Sequence, residues 1–262
     1  MRQFEASVVA AAVKENLNKY RAANPFLSRI MDTISEVGDI YIVGGYIRNV
    51  YFGGRVRDID MMVDIDGHML RSIVQDSGCL YTYNRHGGMK LYVDSVVADI
   101  WTIDDNWAFK SNSVILRDDS KLNSIAQGCF YNYDSLVYRL VDNRYNFKYF
   151  EEFLNTKVLD ILKDANYQAR NPMLEANILR AFYIKENYGI SFSDRVKIYI
   201  FEEIVNLDLM GYDVWKRIER FQEKYPKYNK MQIKKVKCEI QDLMKEVIKK
   251  QPYLFDISHL IN

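Results

Sequence analysis

Three aspartates in the first half of the chain have the spacing needed for chemistry on phosphates. Asp58 and Asp60 are separated by one residue within an apolar run. In a β-strand their carboxylates would project from one face, about 7 Å apart. Two neighbouring carboxylates repel each other, and such a pair usually holds a cation. The alternative is an ordinary solvated strand face.

The third carboxylate, Asp99, interrupts the apolar stretch Val96–Trp101. An ionised carboxylate is costly to bury without a partner, so it either faces solvent on an edge strand or completes a site with Asp58 and Asp60. Three acids can hold two Mg²⁺ ions, or Mn²⁺, about 4 Å apart. One ion would activate the attacking hydroxyl, and the other would neutralise the triphosphate and the leaving pyrophosphate. Asp64 is about 13 Å beyond Asp60, so we expect it outside the site.

A pair of glycines, Gly44 and Gly45, follows another apolar run and precedes a short amphipathic stretch. Glycines before a helix start let backbone N–H groups approach a phosphate, and the helix N-terminus favours negative charge. Arg48 lies one turn into this helix and could reach a phosphate or pair with an acid; the alternative is a surface arginine. A phosphate cradle beside paired carboxylates is typical of metal-assisted phosphoryl or nucleotidyl transfer.

This region resembles the head domain of the tRNA nucleotidyltransferase and poly(A) polymerase family, within the polymerase-β-like nucleotidyltransferases. The family pattern is V-G-G-x-V-R-D, then a short helix, a glycine and D-x-D. It appears here as Val43-Gly44-Gly45-Tyr46-Ile47-Arg48-Asn49, then Gly54 and Asp58-Ile59-Asp60. Asn49 departs from the pattern, where the family has Asp. The resemblance implies a template-independent, two-metal nucleotidyltransferase with catalytic and metal-binding Asp58, Asp60 and Asp99, and nucleotide-binding Gly44, Gly45 and Arg48.

The resemblance weakens further along the chain. The family's R-R-D-F-T-x-N-A stretch corresponds to Ser120–Gln127, which keeps one basic residue, Lys121. In the family's base-reading motif, Leu174 and Asn177 replace an Asp and an Arg, and Arg180 is kept. A Leu side chain cannot accept a hydrogen bond from a base, whereas Asn offers one donor–acceptor pair. We therefore expect Asn177 and Arg180 to bind the nucleotide, with base selection changed relative to CCA-adding enzymes.

The apolar pattern predicts an α+β fold in two domains. By the resemblance, residues 1–145 are expected to form a polymerase-β-like nucleotidyltransferase head, a mixed sheet with flanking helices that begins with two N-terminal helices. Residues 146–262 form an all-helical neck and body. The expected head elements are helices over 1–37 broken near Asn24-Pro25, strand 39–43, helix 45–52, strand 57–65, helix 66–76, strands 79–84, 88–94 and 95–103 with a turn at His86-Gly87-Gly88, and a hairpin over 125–142 with its turn at Asn132–Ser135.

Composition narrows the class of protein. The 262 residues are 48% hydrophobic and 27% charged, as in ordinary globular proteins. The net charge of +1 is too small to indicate a nucleic-acid partner, so any basic surface must be local. The absence of a run of ~20 apolar residues predicts no membrane span. The N-terminal stretch lacks a signal-peptide pattern. Three isolated cysteines favour reduced thiols in a cytoplasmic protein, and no histidine or cysteine spacing predicts a zinc site.

Basic and aromatic residues in the second half of the chain bear on which acceptor receives the nucleotide. The segment from Asp213 to Lys250 has twelve Lys or Arg against six Asp or Glu, and the aromatic residues between them are Trp215, Phe221, Tyr225 and Tyr228. This mixture suits a single-stranded RNA end or a tRNA acceptor; the alternative is a helical bundle with lysines on its wet face. We expect an NTP substrate and an RNA 3′ end. Nucleotidylation of a protein or small molecule, and a non-catalytic nucleotide- or RNA-binding relative, are the alternatives. The sequence gives no indication of the oligomeric state.

Overall fold

The structure, a computed structural model, describes residues 4–84, 87–93, 96–163, 174–250 and 258–261. The chain divides into two compact units, residues 1–155 and 156–262. The predicted α+β architecture is confirmed, because the first unit holds a seven-stranded mixed sheet with helices and the second is mainly helical. The sequence predicted the boundary between residues 145 and 146, whereas the two units divide after residue 155. The helix Lys148–Thr156 therefore lies almost entirely in the first unit.

The first unit contains both helices and strands. Its helices are α1 (Ala6–Ala23), α2 (Pro25–Val37), α3 (Gly45–Phe52), α4 (Gly67–Asp76), α5 (Trp107–Lys110), α6 (Lys121–Gln127) and α7 (Lys148–Thr156). Its strands are β1 (Asp39–Val43), β2 (Asp58–Asp64), β3 (Leu80–Tyr83), β4 (Met89–Val93), β5 (Val96–Thr102), β6 (Val137–Arg139) and β7 (Tyr145–Asn146). The order across the sheet is β3-β4-β5-β2-β1-β6-β7. The β2–β5 pair is parallel and the other pairs are antiparallel.

The two faces of this sheet differ in chemistry because side chains alternate along each strand. Ile59, Met61 and Val63 of β2 are buried on one face. The other face carries Asp58 and Asp60 at the start of β2. Towards the end of β2 that second face is covered by an apolar cluster of Tyr41, Val43, Met62, Ile103, Ile125, Ala126 and Val137. Asp58 and Asp60 therefore lie at the uncovered start of β2.

The expected helices and strands up to residue 103 agree with the structure. Asp66 caps α4, because its Oδ1 accepts from His68 N at 2.7 Å. β3 and β4 pair as a hairpin; His86, part of the expected turn, lies outside the described residues, as do residues 94 and 95.

The predicted hairpin over 125–142 is wrong. Leu122, Ile125 and Ala126 pack into the apolar cluster from α6, and Asn132–Asp134 is a 3₁₀ helix. The hairpin that does form joins β6 to β7.

In its described residues, the second unit consists of helices and two very short strands. Its elements are β8 (Val158–Leu159), α8 (Leu174–Tyr188), β9 (Ser191–Phe192), α9 (Asp194–Leu209), α10 (Val214–Lys224), α11 (Ile233–Lys250) and α12 (Ser258–Ile261). β8 and β9 pair in parallel. Among the described residues, none of the helices combines the length and apolar character that crossing a membrane requires.

Candidate active site

The three aspartates lie on one face of the sheet, on its two central strands. The parallel register places Asp60 directly beside Asp99 and Asp58 beside Val97. Neighbouring strands are about 4.8 Å apart, and side chains that are paired in register point the same way. The face predicted for Asp58 and Asp60 from their spacing therefore also carries Asp99.

Two of these acids have a cation beside them. Lys90 Nζ lies 3.6 Å from Asp99 Oδ2, and Arg57 Nη2 lies 3.9 Å from Asp58 Oδ2. Burial raises the pKa of the Asp99 carboxyl; Lys90 opposes this shift and the charge of Asp58 adds to it. The effect of Asp58 on Asp99 shows that the two carboxylates interact electrostatically across the strand pair.

The described residues include no group of three His, Cys, Asp or Glu side chains arranged to hold a metal ion. The sequence predicted that Asp58, Asp60 and Asp99 converge within metal-bridging reach. The structure brings the three to one face of the sheet. It also places Arg57 beside Asp58 and Lys90 beside Asp99. The donor set fits a hard divalent ion, since it is made of carboxylate oxygens. Burial is the main cause of the raised pKa of Asp99, and the charge of Asp58 adds to it. Metal binding by these residues stays a prediction.

The glycine pair forms the turn from β1 into α3. Gly44 has φ +64° and ψ −116°, a conformation that side chains other than glycine rarely adopt. Its N–H donates to Leu136 O at 2.8 Å, which fixes the turn against the chain entering β6. Gly45 begins the helix, and a Cβ built on it would lie 3.9 Å from Asp60 Oδ2. The first turn of α3 therefore begins beside the central carboxylate.

Arg48 is paired with an acid inside the first unit. Its Nη1 lies 2.5 Å from Asp134 Oδ1, and the two side chains are only 15% and 11% exposed. Its guanidinium carbon is 4.4 Å from the centroid of the Tyr133 ring, within cation–π range. Of the two roles considered for Arg48, the structure shows the ion pair. This pair makes the phosphate contact that the resemblance implies costly, because Asp134 would lose its cation. Asp134 was missed because it is far away in sequence, with no local pattern linking the two.

Asn49, the departure from the family pattern, has a role in the end of α3. Its Nδ2 donates to the carbonyl oxygen of Arg55 at 3.4 Å, a bond that an ionised Asp could not donate. Gly53 follows with φ +66°, the left-handed residue that commonly ends a helix. The glycine pair Gly53-Gly54 thus ends the helix.

Asp64 and Lys121 lie at the opposite end of β2 from Asp58. Lys121 Nζ is 2.6 Å from Asp64 Oδ2 and 3.3 Å from Asp118 Oδ1. A cleft of about 480 Å³ opens at this end of the sheet. Two basic side chains that line the cleft are already paired with acids. Lys121 pairs with Asp64, and Arg139 Nη2 lies 2.6 Å from Asp39 Oδ2. Chemistry at the start of β2, rather than in this cleft, stays a prediction.

Asn177 and Arg180 lie on α8, in the second unit. Asn177 is 7% exposed, and its Nδ2 donates to Tyr199 Oη on α9 at 3.3 Å. Its amide thus contributes to the packing of two helices. Arg180 and Leu174 are partly exposed. Base recognition at these positions stays a prediction.

A buried carboxyl near Asn177 was not expected from the sequence. Glu203 is 2% exposed on α9, and burial raises its pKa to about 7, with Glu202 adding to the shift and Asn206 opposing it. Its position one turn from Tyr199, on the apolar side of α9, is the signal that could have identified it.

The basic segment from Asp213 to Lys250 is largely an amphipathic arrangement. α11 buries Val236, Ile240, Leu243, Met244 and Val247 on one side. Several lysines of this segment bind acids or rings: Lys235 lies 3.6 Å from Glu186, and Lys237 Nζ lies 5.0 Å from the Trp215 ring. This agrees with the alternative of lysines on a wet helix face, and an RNA contact here stays a prediction.

No protein-family model matches the sequence, and no curated protein is similar to it in sequence. Solved structures do match. A CCA-adding enzyme in complex with ATP has a TM-score of 0.60 and 15% identity over 92% of this chain and 55% of its own. The CCA-adding enzyme of Thermotoga maritima in complex with tRNA has a TM-score of 0.59 and 12% identity over 97% and 55%. A tRNA-processing enzyme has a TM-score of 0.57 and 15% identity over 88% and 63%.

These matches confirm the predicted resemblance at the level of the fold. The chain spans about half to three fifths of the length of the structures it matches. At such low identity the likeness does not carry over substrates or residue roles.

Proposed function

We propose that this protein is a metal-dependent nucleotidyltransferase that transfers a nucleoside monophosphate from an NTP to the 3′-hydroxyl of an RNA. The observation that carries this proposal is the register of β2 and β5. It sets Asp60 beside Asp99 and leaves Asp58 on the same face. The Gly44-Gly45 turn adjoins them, since a Cβ built on Gly45 would lie 3.9 Å from Asp60 Oδ2. Nucleotidyl transfer needs carboxylates that bind a cation, and backbone N–H groups next to them that bind phosphate.

In this reaction the acceptor hydroxyl attacks the α-phosphorus, a new P–O ester bond forms, and the bond to the β-phosphate oxygen breaks. Pyrophosphate leaves, and the hydroxyl proton passes to solvent. Asp58, Asp60 and Asp99 would hold Mg²⁺ or Mn²⁺, which when bound supplies positive charge to the triphosphate. The free N–H groups of the first turn of α3 bind the phosphates, and Gly45 lets the phosphates come close because it has no side chain.

The positions that match the family's base-reading motif lie on α8. We propose that nucleotide selection differs from the strict use of ATP and CTP, because Leu174 and a packed Asn177 offer little hydrogen bonding to a base edge. A site without such pairing discriminates by only ~1–3 kcal/mol through shape. The comparison is kcat/KM for the four NTPs in the wild type, Asn177→Ala and Arg180→Ala. Strict alternation of C and A on a tRNA end would show that this alignment is wrong. Unchanged values in both variants would show that α8 does not bind the nucleotide.

The proposal is tested by incubating the protein with labelled NTPs, Mg²⁺ and total RNA. We expect label on RNA 3′ ends that depends on the divalent ion and is lost in Asp60→Ala. Label that appears on protein, or on a small molecule, would redirect the proposal to those acceptors. No label with any NTP, in the presence of Mg²⁺ or Mn²⁺, would contradict nucleotidyl transfer.

A further inference from the structure

The face that carries the aspartates continues outward across β5, β4 and β3 in two straight rows of register partners. One row runs Asp58–Val97–Tyr92–Leu80, and the other runs Asp60–Asp99–Lys90–Thr82. Paired residues point to the same side of a sheet. Tyr92 and Lys90 are therefore two strands, or about 10 Å, from β2, on the same face as the carboxylates.

This outer part of the face is open. Leu80 is 77% exposed and Tyr92 is 46% exposed, and the Lys90 side chain is 41% exposed. Leu80 and Tyr92 are register partners, so this outer strip presents an apolar and an aromatic side chain next to each other on the face of the aspartates. Thr82 Oγ1 lies 3.2 Å from Tyr92 Oη, and this hydrogen bond holds the tip of the tyrosine across the hairpin.

The geometry of the reaction places the acceptor over the outer strip, which consists of Val97, Lys90, Tyr92 and Leu80. The attacking and leaving oxygens of a transferring phosphoryl group lie roughly in line, on opposite sides of the phosphorus. The glycine turn that would bind the triphosphate lies on the β1 side of Asp60. Asp99, Lys90 and Tyr92 lie on the other side, because β5 and β4 follow β2 in that direction. The hydroxyl must therefore enter over β5 and β4.

We propose that Tyr92 and Lys90, with Val97 and Leu80 beside them, form the subsite for the 3′-terminal nucleotides of a single-stranded RNA acceptor. The inference rests on the proposed function. The Tyr92 ring stacks with a base and Lys90 binds a backbone phosphate, the two contacts by which proteins hold single strands without reading their sequence. Lys90 supplies charge complementarity, since an RNA backbone that approaches three carboxylates needs a cation between them.

Binding is measured apart from catalysis, with a labelled single-stranded RNA that ends in a 3′-deoxynucleotide and cannot be extended. Tyr92→Ala raises its Kd by about fivefold or more, because stacking on one aromatic ring is worth ~1–3 kcal/mol per base. The matched control is Tyr83→Ala. Tyr83 is 55% exposed on the opposite face of the same hairpin, and the Kd of this variant equals that of the wild type. Equal Kd values for Tyr92→Ala and wild type would overturn the subsite.

Lys90→Gln gives a second, independent readout. Loss of one phosphate contact reduces the slope of log K against log salt concentration by about 0.7 for a single strand, whereas Tyr92→Ala leaves the slope unchanged. An unchanged slope in Lys90→Gln would remove the phosphate contact. Melting temperatures of all variants establish that the fold is retained.

A photocrosslink separates failure of this subsite from failure of the proposed function. An RNA with 4-thiouridine at its 3′ end should crosslink to the peptides that contain β3 and β4. Crosslinking there without transfer of nucleotides would support the subsite and contradict the reaction. Transfer with crosslinks confined to other peptides would support the reaction and overturn the subsite.

Discussion

Gly44 and Gly45 are adjacent, yet the structure predicts that alanine at the two positions has opposite consequences. Gly44 has φ +64° and ψ −116°, and a Cβ there would meet nothing closer than Asp134 O at 3.6 Å. The obstacle is the backbone conformation, which costs a non-glycine residue ~1–3 kcal/mol. Gly44→Ala therefore lowers the free energy of unfolding of the first unit by about that amount.

Gly45 has an ordinary helical conformation with room for a methyl group. Its Cβ would be 3.5 Å from Arg48 Nη2 and 3.9 Å from Asp60 Oδ2, which are normal van der Waals distances. Alanine is also favoured over glycine inside a helix by ~0.5–1 kcal/mol, although less at the first position. Gly45→Ala therefore keeps wild-type stability. The methyl nevertheless occupies the space between Arg48 and Asp60 where the triphosphate is proposed to bind, and we expect kcat/KM for the NTP to fall at least about tenfold, or about 1.4 kcal/mol.

Urea denaturation gives the stability of each variant, and steady-state transfer gives kcat/KM. Gly54→Ala is the matched control, because Gly54 has no positive φ and its Cβ would lie 3.7 Å from the Asn49 carbonyl; it should match the wild type in both measurements. If Gly45→Ala bound and used NTP normally, the phosphate cradle would not be at this turn. If Gly44→Ala were as stable as wild type, the conformational argument would be wrong.

Three further predictions concern the ion pair, the acids and the buried carboxyl. Arg48→Met should lower the free energy of unfolding by ~2–4 kcal/mol, because Asp134 is left buried without its cation; Arg48→Met with Asp134→Leu should recover most of this, and equal losses in both variants would contradict the pairing. Asp60→Ala should abolish transfer with an unchanged or higher melting temperature, because it removes repulsion between neighbouring acids; unfolding of the variant would show that the acid is structural. For Glu203, burial raises the pKa to about 7 in the folded state against an ordinary value of 4.5, so the native state binds the extra proton, and the resulting stability is present below pH 4.5 and lost as the pH rises through 7. Glu203→Gln should therefore be ~1–3 kcal/mol more stable than wild type at pH 8 and no more stable at pH 4.5; a pH-independent difference between their melting curves would refute this.

Sequence alone predicted the elements that carry the aspartates because their signals are local. Alternation around Asp58 and Asp60 defines a strand face, and Asp99 interrupts an equally regular apolar strand. The register that sets Asp60 beside Asp99 is not local. It depends on which strands become neighbours, and β2 and β5 are separated by a helix and a hairpin. The cation beside Asp99 was missed for the same reason, since Lys90 is opposite that acid only once β4 pairs with β5.

The stretch after residue 104 shows where local patterns fail. α6 has seven residues, too few for a helical period to appear clearly. Its apolar positions, Leu122, Ile125 and Ala126, overlap what reads as the start of a strand. The sequence Asn132–Ser135 has the residue types of a hairpin turn, but Asp134 is drawn into a buried pair with Arg48. A tertiary contact therefore decides the local structure here, and no window of sequence contains both partners.

That buried pair also bears on how the triphosphate would be held. Arg48 already donates to Asp134 and lies against the Tyr133 ring, so its charge is largely neutralised within the first unit. Binding a phosphate with Arg48 would leave Asp134 uncompensated, at a cost comparable to breaking the pair. The backbone N–H groups at the start of α3 carry no such cost, because they have no partners within the helix. We therefore expect a double dissociation: Gly45→Ala loses NTP binding at full stability, and Arg48→Met loses stability while KM for the NTP is unchanged in the fraction that remains folded. A tenfold rise in that KM would instead assign Arg48 to the phosphates.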